Sequence, residues 1–208
     1  MISWVVASHI PEILNNNLLA TLTIHDGDEL ILIENASSIT MAYAEGQHRA
    51  HLPELRRNPV VCYIHSDVRI LDLPTLRERL IEDTKGTGIV GVTGSRTMVL
   101  PWWNGDLLGS VMDSRLGILD FGPGGDCDVV DGLLMATRRI VPWDIAWPGW
   151  HGYDYDACTA LLRRGMRNWC VSNGHLLVQH NSDSPLSLHY IHEWPEAEKR
   201  YREKWLTP

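Results

Sequence analysis

The sequence predicts an α/β fold: a single domain with a mostly parallel central sheet and helices on both of its faces. Short, fully apolar segments such as Ile2 to Ala7 and Val60 to Ile64 alternate with amphipathic ones, and strands read as unbroken apolar runs only where a sheet is covered on both sides. At 208 residues the chain can bury one generous core but not two full-sized domains and a linker. No internal repeat, low-complexity tract or charge block divides it.

The elements follow in order. Ile2 to Ala7 is the first strand. Pro11 stands where the first turn of a helix tolerates it, and Leu14, Leu18 and Leu22 recur at helical spacing before the Asp26-Gly27 turn. Leu30 to Glu34 is a second strand, and Val60 to Ile64, introduced by Pro59, a third. Asp72 to Gly86 reads as a helix, with Pro74 near its start, Leu76 and Leu80 inward and Gly86 as its stop. Gly88 to Thr93 is a fourth strand. The second half is less regular, with Trp102-Trp103-Asn104-Gly105, the loop Gly122 to Gly125, a strand from Val129 to Thr137, and a Trp/Pro-rich link from Trp143 to Trp150. Loops of that kind carry sites. A helix runs from Asp154 to Arg164 with Gly165 as C-cap, Leu176 to Val178 is a strand leading to His180, and the stretch from Pro195 to Leu206, with Ala197, Tyr201 and Trp205 in helical register, is a helix laid across the domain.

Composition narrows the function. No apolar stretch approaches the roughly 18 to 20 residues that span a bilayer, and Met1-Ile2-Ser3-Trp4 lacks the basic start of a signal peptide, so the expectation is a cytoplasmic protein without a membrane span. Cys62, Cys127, Cys158 and Cys170 are scattered singly, as reduced, core-filling thiols are. A net charge of −8 argues against a surface built to track phosphates. Nine Trp stand against one Phe, a bias that suits stacking on sugars or bases as well as core filling.

Three stretches carry chemistry. In Tyr63-Ile64-His65-Ser66-Asp67-Val68 a buried strand runs into a His-x-Asp step, and the carboxyl end of a strand in an open α/β sheet is where ligands bind; the plain alternative is a strand end whose Asp67 caps a turn. In Gly152-Tyr153-Asp154-Tyr155-Asp156 two carboxylates open a helix, which capping and the helix dipole alone would explain, but the aromatic segment before it suits the wall of an acceptor pocket. The third is His180 after an apolar strand, a position that a structural hydrogen-bonder fills as well as a ligand does.

Taken in order, these stretches resemble the GT-A glycosyltransferases, Rossmann-like enzymes, and among them the small family-2-like group of bacteria and phage with a His-x-Asp-Val metal motif. The resemblance spans nearly the whole chain. Its marks are the strand Ile2 to Ala7 with Ser8-His9, the strand end Glu34-Asn35, His65-Ser66-Asp67-Val68, the run Asp131 to Arg139, the helix start at Gly152 to Asp156, and the strand to His180. It implies that residues 1–100 form the nucleotide-binding half and residues 101–208 the acceptor half. It implies further that Asp67 and His180 ligate a divalent ion, Mn²⁺ or Mg²⁺, on the donor's diphosphate, that Ser8, Glu34, Asn35 and Asp67 contact the nucleotide, and that Asp154 is the general base. His65 stands where many relatives carry the first Asp of the metal motif, and Tyr153 replaces the acidic residue that usually precedes the base.

The implied activity is metal-dependent transfer of a sugar from a nucleotide-diphosphate donor, UDP-linked, to an acceptor hydroxyl with inversion. The acceptor is open, a modified nucleobase in DNA among the choices, since Arg138, Arg139, Arg163, Arg164 and Arg167 gather in the acceptor half. Two other readings stand beside it. A sugar-1-phosphate nucleotidyltransferase would need a Gly-rich, basic loop after the first strand, where this chain has Ala7-Ser8-His9-Ile10-Pro11. A non-catalytic nucleotide-sugar or glycan binder would use the Trp-rich loops and leave Asp154 as a cap.

Overall fold

The computed structural model describes residues 1–51, 58–171, 175–181 and 193–207. A seven-stranded sheet forms the centre, in the order β2 (Glu29–Glu34), β1 (Ile2–Ser8), β3 (Val60–His65), β11 (Leu134–Thr137), β5 (Val90–Gly91), β12 (Asn168–Cys170) and β9 (Gly125–Cys127). The first three are parallel, as their apolar runs predict, and β12 is parallel to β5. β11 runs antiparallel to both β3 and β5, and β9 to β12. The sheet is therefore mixed rather than mostly parallel along its second half.

Alternation along each strand decides which core a side chain joins. In β1, Val5 and Ala7 face one core while Trp4 and Val6 face the other; in β3, Val61 and Tyr63 oppose Cys62 and Ile64. Helix α2 (Ile39–Ala50) covers the first face with Ile39, Ala42 and Tyr43, joined there by α4 (Tyr153–Leu162) and the C-terminal helix Trp194–Tyr201. The second face is covered by α1 (Pro11–Asn16), through Leu14, and by α3 (Leu73–Asp83), through Leu76 and Leu80. Each of these buried Leu side chains contributes about 1.5–3 kcal/mol by leaving water. α3 starts where the sequence says: Asp72 caps it, accepting from Thr75 N at 3.1 Å.

Several expected elements are shorter or divided. α1 ends at Asn16, yet Leu14, Leu18 and Leu22 are all buried as the spacing requires. The expected strand 88–93 splits into β5 and β6 (Thr93–Ser95), and the strand 129–137 into β10 (Val129–Val130) and β11. Both splits feed a second sheet that sequence reading missed, ordered β10, β6, β7 (Leu107–Asp113), β13 (Val178–His180) and β4 (Val68–Ile70), with β8 (Gly117–Asp120) paired to β7. The C-terminal helix gives way to a π-helical turn over Arg202–Leu206. All four cysteines are free and buried. Among the described residues no helix is long and apolar enough to cross a membrane.

Candidate active site

The register of the central sheet brings three strand ends together. Ser8 lies opposite Glu34, and Ala7 opposite His65, so β1, β2 and β3 finish side by side at one edge. Ser8 is buried and Glu34 exposed, and Asn35 turns the chain away in the left-handed region at φ 60°, a conformation Asn tolerates better than most residues. After His65 the turn Ser66-Asp67 leads into β4.

His180 reaches this edge through the second sheet. β13 is antiparallel to β4, with His180 opposite Val68, and parallel to β7, with His180 opposite Asp113. A hydrogen bond from Asn181 N to Asp67 O at 3.0 Å locks the crossing. Two backbone ladders thus place the His180 imidazole beside the Asp67 carboxylate: Nε2 is 3.6 Å from Asp67 Oδ2, and Nδ1 is 3.8 Å from Asp113 Oδ2. His65 approaches from the other side, its Nδ1 3.9 Å from Asp67 Oδ1. His65, Asp67 and His180 each offer one ligand atom, all within 4.8 Å of one another. One ion at about 2.1 Å from each would need only a modest closing of the set.

The group fits a divalent cation for a second reason. Asp67 Oδ1 is buried without a hydrogen-bond partner, an arrangement that costs about 1–3 kcal/mol or more for a charged group left so. A bound cation would relieve it. Asp67 and His65 stand in the protonation states that a cation requires of its ligands. Burial pushes the Asp67 carboxyl up, but the close approach of His180, and less so of His65, outweighs it and holds the pKa below the ordinary value. Burial is also the largest influence on His65 and takes its pKa down to about 4 against the pull of Asp67, so that imidazole is neutral near pH 7. For His180 burial acts downward, yet Asp67, Asp131 and Asp113 together hold its pKa above the ordinary value.

The break between β10 and β11 supplies the far wall. Asp131 N donates to Thr93 O, and His65 N to Leu133 O at 3.0 Å, so the segment 131–133 lies across the end of β3. Asp131 folds its carboxylate back onto Leu133 N at 3.1 Å. Gly132 N donates to Asp154 Oδ2 at 3.2 Å, and Gly132 O accepts from Tyr153 OH at 3.0 Å. Tyr153 also meets His65 Nε2 at 2.5 Å. α4 begins from Gly152, which is left-handed at φ 71° and offers no side-chain cap. Asp154 is buried, its Oδ1 accepting from Tyr155 N at 3.1 Å. Burial first, then the charge of Asp131, pushes its pKa up to about 7 in spite of those donors. A carboxyl poised there can hold or release a proton at physiological pH.

A model of the glycosyltransferase-like family matches residues 17–205. The chain belongs to that family. Sugar transfer is therefore the general chemistry of this chain. No curated protein matches the sequence. Among solved structures, this glycosyltransferase-like chain is similar to A197 from STIV, at 9% identity over 82% of this chain and 81% of that one, with a TM-score of 0.49. TarS 1-349 of S. aureus matches at 11% over 87% of this chain and 60% of its own, with a TM-score of 0.49. GalNAc-T7, solved with UDP, GalNAc and Mn²⁺, matches at 11% over 87% and 44%, with a TM-score of 0.44.

Of the residues singled out from sequence, Asp67 and His180 come together, and Ser8 and Glu34 end strands at the same edge. Asp156 takes a different part: it accepts from Trp205 Nε1 at 2.7 Å and pairs with Lys204 at 2.8 Å, so it anchors the C-terminal turn. The tryptophans of the Trp143 to Trp150 link turn to the core, Trp147 buried and Trp143 packed on Tyr43 and Tyr63, while Ile145 and Ala146 are exposed. After this link His151 stacks on Trp194 at 4.9 Å, and Trp103 stands edge-on to Trp194 at 4.9 Å. The basic residues of the acceptor half are partly engaged with protein partners, Arg138 on Ile81 O and Thr84 and Arg167 on Asp126. Sequence reasoning missed Asp113 and the contact of Tyr153 with His65, and it marked Asp131 in the run to Arg139 without giving it a role. The Tyr-Asp order of the helix start was the available signal for that contact.

Proposed function

We propose that the protein transfers a sugar from a nucleotide-diphosphate donor, a UDP-sugar, to an acceptor hydroxyl with inversion at the sugar carbon. Asp67 and His180, with His65 as a third ligand, hold a divalent cation, Mn²⁺ or Mg²⁺. That ion would neutralise the charge that grows on the departing diphosphate. One imidazole or more beside an oxygen ligand tilts the choice toward Mn²⁺. Ser8, Glu34 and Asn35, at the adjoining strand ends, bind the nucleoside portion. Asp154 takes the proton from the attacking hydroxyl, which general-base help makes about 10² to 10⁴ times faster.

The observation that carries this reading is the Asp67 carboxylate, with one buried oxygen lacking a hydrogen-bond partner and two imidazoles within 4 Å of its oxygens. Turnover tests it. Release of UDP from a panel of UDP-sugars should require added Mn²⁺ or Mg²⁺, stop with a chelator, and drop sharply in His180→Ala. Release that is indifferent to chelator would remove the ion from the reaction.

A further inference from the structure

Displacement at a sugar carbon sets three parts in line: the acceptor oxygen with its base, the sugar, and the departing diphosphate with its ion. The bond from the acceptor oxygen forms as the bond to the diphosphate breaks. In the site described above Asp154 stands at the first end, and Asp67 with His180 at the other. A side chain held between those ends faces the sugar. Asp131 is so held. Its N–H donates to Thr93 O at 2.9 Å, Gly132 N reaches Asp154 Oδ2 at 3.2 Å, and Leu133 O accepts from His65 N at 3.0 Å, so three successive residues join β6, the first turn of α4 and the end of β3. The charge of Asp131 is felt at both ends. Against burial, which lowers the His180 pKa, it acts upward together with Asp67 and Asp113; on Asp154 it adds to burial, the larger influence. Within residues 129–137 Asp131 alone is partly exposed, every other residue being buried. Its Oδ1 accepts from Leu133 N at 3.1 Å, which leaves Oδ2 room for a further donor.

We propose that Asp131 reads the donor's sugar by accepting a hydrogen bond from one of its ring hydroxyls, and that the sugar is accordingly a neutral one and not a uronic acid. The inference rests on the nucleotide-sugar reading above and adds the class of sugar to it. A hydroxyl supplies the hydrogen that a carboxylate, an acceptor only, can take. Such a bond to a charged group is stronger than one between neutral partners. The carboxylate of a uronic acid would instead bring a second negative charge against Asp131 in a space that Asp67 and Asp113 already make acidic, and unfavourable pairing of that kind is how a site rejects a competitor.

Calorimetry on the full chain with Mn²⁺ tests this without turnover, using UDP, UDP-glucose, UDP-galactose, UDP-N-acetylglucosamine and UDP-glucuronate as probes. The wild type should bind the best of the neutral donors about tenfold or more tighter than UDP-glucuronate. Asp131→Asn keeps an oxygen for Leu133 N and turns an amide N–H to the sugar. It should bind that neutral donor about 10- to 100-fold more weakly, with its affinities for UDP and for Mn²⁺ within about twofold of the wild type. Asp131→Ser, whose hydroxyl can still accept from Leu133 N but is shorter, repeats the test should the first variant not fold; a circular dichroism melt checks each. A folded variant that binds the neutral donor as the wild type does overturns the proposal, as does a wild type that does not discriminate against UDP-glucuronate. An equal loss of UDP and Mn²⁺ affinity overturns it too, by making Asp131 a ligand of the ion. A wild type whose affinity for UDP ignores Mn²⁺ brings down the donor reading itself, and this inference with it, a result distinct from the others because it needs no variant.

Discussion

Asp154 accepts a backbone N–H on each carboxylate oxygen, from Gly132 and from Tyr155, and this sets what a substitution there does. Asn has one acceptor oxygen, so Asp154→Asn turns an N–H toward an N–H and costs roughly 1–3 kcal/mol for the donor left without a partner. That cost depends on pH. Asp154 has its folded pKa raised to about 7, above the ordinary value of about 3.9, so its contribution to stability is fully present below pH of about 4 and is lost as pH rises through about 7. Asn does not titrate. The wild type should therefore exceed Asp154→Asn in melting temperature most at acidic pH, with the gap narrowing toward pH 8. Transfer should fall by about 10² or more in the variant whatever the pH. Near-normal transfer at pH 8 would end the general-base role, and a gap in melting temperature that does not move with pH would contradict the raised pKa.

Among the elements, the break between β10 and β11 is the one on which the site depends. Gly132 sits where a Cβ would run into the Tyr153 hydroxyl, so Gly132→Ala must push Tyr153 off His65 or shift α4. Differential scanning should show a loss of about 1–3 kcal/mol, the usual range for overpacking, and Mn²⁺ affinity should weaken with it; an unchanged variant would mean that this contact is slack. The sequence shows Asp131-Gly132 only as the middle of an apolar run, because Val129 to Ala136 is apolar apart from those two residues and periodicity cannot mark a turn between two buried strands. β1, β2, β3 and α3 were legible for the opposite reason: a nearly unbroken apolar run, or a capped amphipathic stretch, leaves few alternatives. α2 was overlooked, since Glu45, Gly46, Gln47 and His48 break its apolar stripe even though Ser38 caps it through Met41 N. β13, three residues long, exists because β4 and β7 flank it, and no local pattern announces that.

At the scale of the molecule, the site lies where two sheets meet. The central sheet brings His65 and the ends of β1 and β2; the second sheet brings His180 and Asp113. Local patterns pointed to Asp67 and His180 separately, and their order along the chain joined them. The distances and the surrounding carboxylates came only with the fold, since the pairing of β13 with β7 spans residues far apart in sequence. An overall charge of −8 fits the proposed order of binding, cation before anionic donor, because Asp67, Asp113 and Asp131 would repel a diphosphate until a divalent ion is present. Isothermal titration of UDP into the wild type and into Asp67→Ala, each with and without Mn²⁺, tests this most directly. The wild type should bind UDP weakly alone and much more tightly with Mn²⁺, and Asp67→Ala should lose that gain while keeping its fold. UDP affinity that ignores Mn²⁺ in the wild type, or a gain with Mn²⁺ that survives in Asp67→Ala, would contradict a donor site built on the Asp67-bound ion.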